Sequence, residues 1–429
     1  MSAVNIYLFT IIGMLLLYTF RKKMNFITYE LLVATIYLIA LSYVQVLDVL
    51  LVIYLLFAII PYIKYFKFNS FVQLLFALYF GTVLLFSCIL HGISSAVSVF
   101  VIRYIGIIFF AFFFINYIHK CITNEETTID FYSLKDTLKL IKWFAVCEII
   151  LTCIAFAVSG GGRLMLNYQC TVGNISIAGI LLCGYCFYIS DNRKNGLIFF
   201  YALFFTSIAI LSGTRGYLII CIAMLMLYAI LYGKKIVKFL VFMIFSMVLV
   251  LNYNTVFEKT VEITRLGEST GRRKSEDLLV WNYMFDNPSN SLFGLGFGKP
   301  VSELYNISSL ISKVSNSPYT TYILYRVNAF HNLYTTTYYS AGLIGIILLG
   351  TIFLKIINYC KIYLIDKKIY YTSLTFVLLY MFVLWFRWSA TSGILEFATF
   401  SFVLLNSYAF ESKMRGSVND NEYFKKRVK

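Results

Sequence analysis

Two short stretches of this chain bring together residue types that could act on a phosphorylated, hydroxyl-bearing substrate. The first is Leu211-Ser212-Gly213-Thr214-Arg215-Gly216, where an arginine among small residues separates two long apolar runs. A guanidinium presents a planar fork of donors that matches phosphate oxygens. Small neighbours would let a bulky phosphorylated headgroup approach the backbone, and Ser212 and Thr214 add hydroxyl donors. The second stretch is Phe330-His331-Asn332-Leu333-Tyr334, which opens a run of hydroxyls through Thr335, Thr336, Thr337, Tyr338 and Tyr339. A histidine of ordinary pKa, about 6.5, can accept a proton from a sugar hydroxyl at neutral pH. Each has a plainer reading beside it: Arg215 could snorkel to lipid headgroups, and His331 could be a structural boundary residue. Snorkelling, however, favours arginine no more than lysine and does not call for small neighbours.

The elements that carry these residues must be membrane helices. The 429 residues are 60% hydrophobic and only 13% charged, with a mean hydropathy of +0.80. Apolar runs of about 17–25 residues recur from end to end, each long enough to cross a bilayer as a helix. Continuous apolar runs satisfy their backbone as helices, and not as the alternating strands of a barrel. The expected fold is therefore an all-α integral membrane protein, a single polytopic domain over 1–429 with about 12–13 transmembrane helices. The first run, Asn5 to Phe20, is followed and not preceded by basic residues, so it is expected to be a retained helix and not a cleaved signal.

Basic clusters at 21–23, 64–67, 118–140, 191–196, 232–235, 355–368 and 425–429 alternate with lysine-poor loops around 45–48 and at 91–96, 159–174, 211–216 and 387–393. The positive-inside rule places the basic set in the cytoplasm and the lysine-poor set outside. It also accounts for the net charge of +16 without a nucleic-acid partner. A large polar loop, 254–330, falls on the outer side, and loops of that length are usually functional or disordered. Its Asp277–Phe285 portion has the periodicity of an amphipathic helix lying along the membrane or over a cavity.

On that outer face the short loops contribute Arg163, Arg215 and Arg387, while the large loop adds Arg265, Arg272, Arg273, Lys274 and Arg326. Acidic residues balance the loop, so the signal is local arginine placement and not a bulk positive field. Several arginines converging at the outer leaflet imply a polyanionic lipid such as a diphosphate. Other signals are weaker. Cys183 and Cys186 form a CxxC inside a helix without supporting ligands. FGLGFG at 293–298 contains GxGxG without the strand–helix setting of a dinucleotide site. No metal motif or cofactor motif is present in the sequence. Glu30, Asp48 and Glu148 lie within apolar runs and could form an ion pathway, which keeps a transporter in view.

Three stretches in order resemble the O-antigen polymerase and ligase superfamily of bacterial polysaccharide assembly. LSGTRGYLII resembles its arginine-bearing helix start. TGRRKSEDLLVWNYMFDNPSNSLFGLGFGKP is similar to its loop signature, and AFHNLYTTTYYSAGLIGIILL to its His-Asn … Gly-Leu-x-Gly helix. A fourth, partial match is Arg163 followed by Gly173-Asn174, where the family usually has Pro-Asn. The resemblance implies a GT-C-like bundle in the bacterial inner membrane, with a periplasmic loop capping the active site. It implies an undecaprenyl-diphosphate-linked oligosaccharide repeat unit as donor, a second one as acceptor in the polymerase, and no metal or cofactor. Arg215 and Arg272 would hold the diphosphate, and His331 would orient or deprotonate the acceptor hydroxyl. Arg163, Thr214, Arg273, Asn332, Tyr334 and Arg387 are the accompanying substrate-binding candidates. Membrane lipids surround the protein, and the sequence leaves open a separate chain-length regulator. The polymerase is preferred here; the alternatives are a ligase that transfers finished polymer to lipid A–core and a lipid-linked oligosaccharide flippase.

Arg215→Ala and His331→Ala are each expected to abolish glycan elongation in cells at unchanged protein level, measured by glycan profile and immunoblot. Arg215→Lys should rescue poorly, because a point charge does not reproduce a bidentate grip. Full elongation in Arg215→Ala would assign that residue to snorkelling.

Overall fold

The computed structural model describes residues 68, 70–108, 116, 132–159, 174–190, 194–211, 215–233, 277–278, 280–300, 332–383 and 393–415; for Arg215 only the backbone is described. Among the described residues the helices run in order: α1 Phe71–His91, α2 Ile93–Ile108, α3 Leu134–Ser159, α4 Asn174–Ile189 and α5 Asn195–Leu211. They continue with α6 Arg215–Tyr232, α7 Pro288–Phe293, α8 Leu333–Tyr363, α9 Lys367–Val383 and α10 Gly393–Arg415. Among the described residues there is no strand. By length and composition α1 and α8 can each cross a membrane, and α4, α5 and α6 are shorter apolar helices. The apolar run Asn5–Phe20 and the acids Glu30 and Asp48 lie outside the described residues.

Local chemistry sets the helix ends. Ser70 caps α1 by accepting the Gln73 amide at 3.3 Å, and Gly92, at φ 87°, stops it. Ser133 enters α3 by accepting the Asp136 amide at 3.3 Å while its hydroxyl donates to the Asp136 carboxylate at 2.7 Å.

At the centre stands α4, packed by α3, α5, α6 and α10. Every side chain from Ile175 to Phe187 is buried, so this helix is apolar all round and has no solvent stripe. Its glycines allow close approach: a side chain at Gly179 would meet the ring of Phe205, and one at Gly184 the hydroxyl of Tyr228. Tyr228 in turn donates to the Ile180 carbonyl at 2.9 Å.

Hydrogen bonds gather one set of helix ends. Tyr132 donates its amide to Asn406 (3.1 Å) and its carbonyl accepts from Tyr185 (3.2 Å). Asn195 donates to the Tyr232 carbonyl at 3.4 Å. Glu411 accepts from the Tyr188 hydroxyl and from the Ile365 and Asp366 amides, each at 3.1 Å. Lys368 lies 5.5 Å over the Tyr232 ring. The starts of α3, α5 and α9 and the ends of α4, α6, α8 and α10 therefore share one lysine-bearing end of the bundle. The start of α6, at Arg215, and the start of α8, at Leu333, point to the opposite end.

α8 is interrupted. Gly342 has φ 62° and ψ −166°, which breaks the helix into two segments. The carbonyls just before the break find donors elsewhere: Tyr339 from the Leu295 amide (2.8 Å), Ser340 from the Gly296 amide (3.0 Å) and Ala341 from the Tyr79 hydroxyl (2.7 Å). A membrane helix can be broken only where freed backbone groups are satisfied in this way. A side chain at Gly342 would collide with the Leu292 carbonyl and would also be strained by the positive φ.

Gly342→Ala is expected to lower stability by about 1–3 kcal/mol, read as a lower midpoint of thermal unfolding of the purified protein in detergent. Gly350→Ala, where nothing lies within 4 Å of an added Cβ, should leave the midpoint unchanged or slightly raised.

Candidate functional site

The described part of the large loop is strapped to the first half of α8. In segment 280–286 the apolar periodicity becomes a helical turn whose Val280 and Met284 are buried against Tyr338 and Tyr339, while Phe285 is 67% exposed. The Trp281 ring lies against that of Tyr338, tilted by 31° with centroids 4.5 Å apart. Asn287 bonds back to the Tyr283 carbonyl at 2.8 Å, and Pro288 then opens α7 with its fixed φ. The Ser291 and Tyr338 hydroxyls meet at 2.6 Å.

After α7 the FGLGFG stretch turns with positive φ at Gly294, Gly296 and Gly298. Its backbone is gripped from α1 and α2. His91 Nε2 donates to the Leu295 carbonyl (3.0 Å), Ser87 accepts the Phe297 amide (2.7 Å) and Ser95 donates to the Gly298 carbonyl (3.0 Å). Phe297 is buried among Phe80, Phe100 and Tyr104. The glycines therefore serve a backbone strap. Its lowest point is the Phe293 carbonyl, 3.2 Å from the Tyr79 hydroxyl. Tyr79 lies twelve residues before His91, the end of α1, about 18 Å along the helix axis. The strap thus enters the bundle and does not lie flat on its end.

The first turn of α8 carries the second described constellation. Asn332 caps the helix by accepting the Tyr334 and Thr335 amides at 2.9 and 3.4 Å. Asp277 faces the same turn, accepting from the Thr335 hydroxyl at 2.5 Å and from Asn332 Nδ2 at 3.4 Å. Tyr334 donates to the Met381 carbonyl of α9 at 2.7 Å, and α9 packs on both α8 and α6. The hydroxyl run of this helix is largely engaged within the protein. Thr336 and Thr337 bond back to Asn332 and Leu333 carbonyls, Thr337 also meets Tyr104 at 2.8 Å, and Tyr339 donates to the Lys299 carbonyl.

Of the sequence-derived site residues, Asn332 and Tyr334 are placed here, both holding the head of α8. Arg215 is the first residue of α6, at the end of the bundle where α8 begins. Arg163, Thr214, Arg272, Arg273, His331 and Arg387 lie outside the described residues, as do 254–276 and 301–330 of the large loop. Asp277 was not singled out from sequence, where it counted only toward the loop's charge balance. The signal available was its position directly ahead of the apolar periodicity of LLVWNYMF.

Among the described residues no group of three or more His, Cys, Asp or Glu is placed to hold a metal ion. Cys183 and Cys186 are free and buried in α4. Glu148 is buried between α3 and α4 and accepts from the Ser176 hydroxyl at 2.8 Å.

Residues 199–350 match a protein-family model described as O-antigen ligase. The match runs from α5 through α6 and the large loop to the middle of α8, and so contains Arg215, Arg272, Asp277, His331 and Asn332. No curated protein and no solved structure matches the chain.

Trp281→Ala removes the ring that pins the loop to Tyr338, a contact worth about 0.5–1.5 kcal/mol beyond its buried area. Limited proteolysis of the purified protein should cut within 277–300 several-fold faster in this variant, with cleavage elsewhere unchanged.

Proposed function

Starting from residues 199–350 as a domain of the O-antigen polymerase and ligase superfamily, we propose that this protein is a membrane glycosyltransferase that polymerises a lipid-linked surface polysaccharide. The observation that carries the reading is the joint between two of the three motif stretches. Through Asp277, Trp281 and Leu295 the loop signature is packed onto the helix that begins beside His331. The third stretch starts α6 at the same end of the bundle, linked to α8 through α9.

In this reading the donor is a glycan on undecaprenyl diphosphate, and the acceptor is a sugar hydroxyl on a new lipid-linked repeat unit. The acceptor oxygen forms a bond to the donor's anomeric carbon as the carbon–oxygen bond to the diphosphate breaks. The electron pair leaves with the diphosphate, and the hydroxyl proton passes to His331. Arg215 and Arg272 neutralise the charge that develops on the leaving diphosphate, which fixed cations in a dry site do without reorganising. Arg163, Arg273 and Arg387 extend the anion-binding face, with Thr214 adding a hydroxyl. Asn332 and Tyr334 contribute by fixing the head of α8. The setting is a GT-C-like bundle of about 12–13 helices in the bacterial inner membrane with the site toward the periplasm. The family match fits a ligase equally well.

Purified protein supplied with lipid-linked repeat units is expected to yield a ladder of products resolved by chain length. If no ladder forms while a lipid A–core acceptor becomes glycosylated, the protein is a ligase. A deletion strain whose repeat units stay on the cytoplasmic side of the membrane would make it a flippase.

A further inference from the structure

Asp277 is bonded to the head of α8 through side chains. Its carboxylate accepts from two side chains, the Thr335 hydroxyl (2.5 Å) and the Asn332 amide (3.4 Å), and both of those residues are buried. The helix cap itself is made by Asn332 Oδ1 on the Tyr334 and Thr335 amides. A helix start would thus be capped without Asp277, and a negative charge there gains further from the helix dipole. What the carboxylate adds is a fixed relation between the loop and the helix.

Chain connectivity says what that relation controls. Asp277 follows Arg272 by five residues and Arg273 by four, so an extended chain of at most about 18 Å separates it from either. On the helix side Asn332 follows His331 directly. One carboxylate therefore joins the residue that follows the loop arginines in sequence to the residue that follows the histidine. Displacing reacting groups by about 1 Å can cost on the order of 100-fold in rate.

We infer that Asp277 is a positioning residue for the transfer reaction, whose bonds to Thr335 and Asn332 hold the start of the described loop portion in a fixed register on the head of α8. The inference rests on the transferase reading for its catalytic consequence, but the clamp itself can be measured without any reaction.

The test uses full-length protein in two assays, hydrogen exchange read by mass spectrometry and steady-state transfer from lipid-linked repeat units. Asp277→Ala and Thr335→Val should each raise amide exchange in 280–286 by about 10-fold, with α4 unchanged. In transfer, each should lower kcat by about 100-fold with a far smaller change in KM. The double variant should lose no more than either single one, and Thr335→Ser should restore most of the rate. Unchanged exchange in both single variants would overturn the clamp whatever the activity. Raised exchange with unchanged kcat, or losses that multiply in the double variant, would overturn the positioning role. If exchange rises as expected but wild-type protein transfers no sugar, the clamp stands and the transferase reading falls.

Discussion

A helix interrupted inside a membrane protein exposes backbone carbonyls that have no water to turn to, and the break at Gly342 is the constraint on which the rest of this site depends. The carbonyls of Tyr339, Ser340 and Ala341 are satisfied by the Leu295 and Gly296 amides and the Tyr79 hydroxyl. The two amides can arrive only if the strap after α7 runs deep into the bundle and comes within backbone contact of α8. Gly294 and Gly342 permit that approach, since a side chain at either would strike the backbone of the other segment. His91, Ser87 and Ser95 then hold the strap from its other side. One broken helix thus accounts for three positive-φ glycines, a histidine and two serines.

The same joint explains how a polar loop can serve chemistry at a fixed place. A free loop would have to order its chain each time a substrate bound, at a cost of about 1–2 kcal/mol per residue. Here Trp281 on Tyr338, Ser291 on Tyr338 and Asp277 on Thr335 order its described portion in advance. At the lysine-bearing end Glu411 performs a comparable task, tying the α8–α9 turn to α4 and α10. The bundle is fixed at both ends around α4, which is buried from Ile175 to Phe187.

Much of this was legible in the sequence. The small residues of LSGTRG predict a boundary between two helices, and the structure ends α5 at Leu211 and begins α6 at Arg215. The periodicity of DLLVWNYMF gave the amphipathic turn with Val280 and Met284 inward. His-Asn gave a helix start because Asn332 is a strong cap. The break at Gly342 was not legible: a glycine in an apolar helical pattern looks the same whether the helix continues or stops, and only the Leu292 carbonyl opposite decides it. FGLGFG could be set aside as a dinucleotide site from its context, yet its pairing with α8 involves residues over 40 positions away. The threonine and tyrosine hydroxyls of α8 suggested ligand contacts but bond mostly within the protein. Asp277 was hidden for the same reason, because its partners lie more than 50 positions along the chain.

What distinguishes a glycosyltransferase from a carrier of lipid-linked sugar is the fate of the diphosphate. The most direct measurement is mass spectrometry of the lipid products released by purified protein from a defined lipid-linked repeat unit, counted against glycosidic bonds formed. Displacement at the anomeric carbon predicts one intact undecaprenyl diphosphate for each new bond. Substrate recovered with its sugar–diphosphate linkage whole, after it has crossed a vesicle membrane that holds the protein, would contradict it.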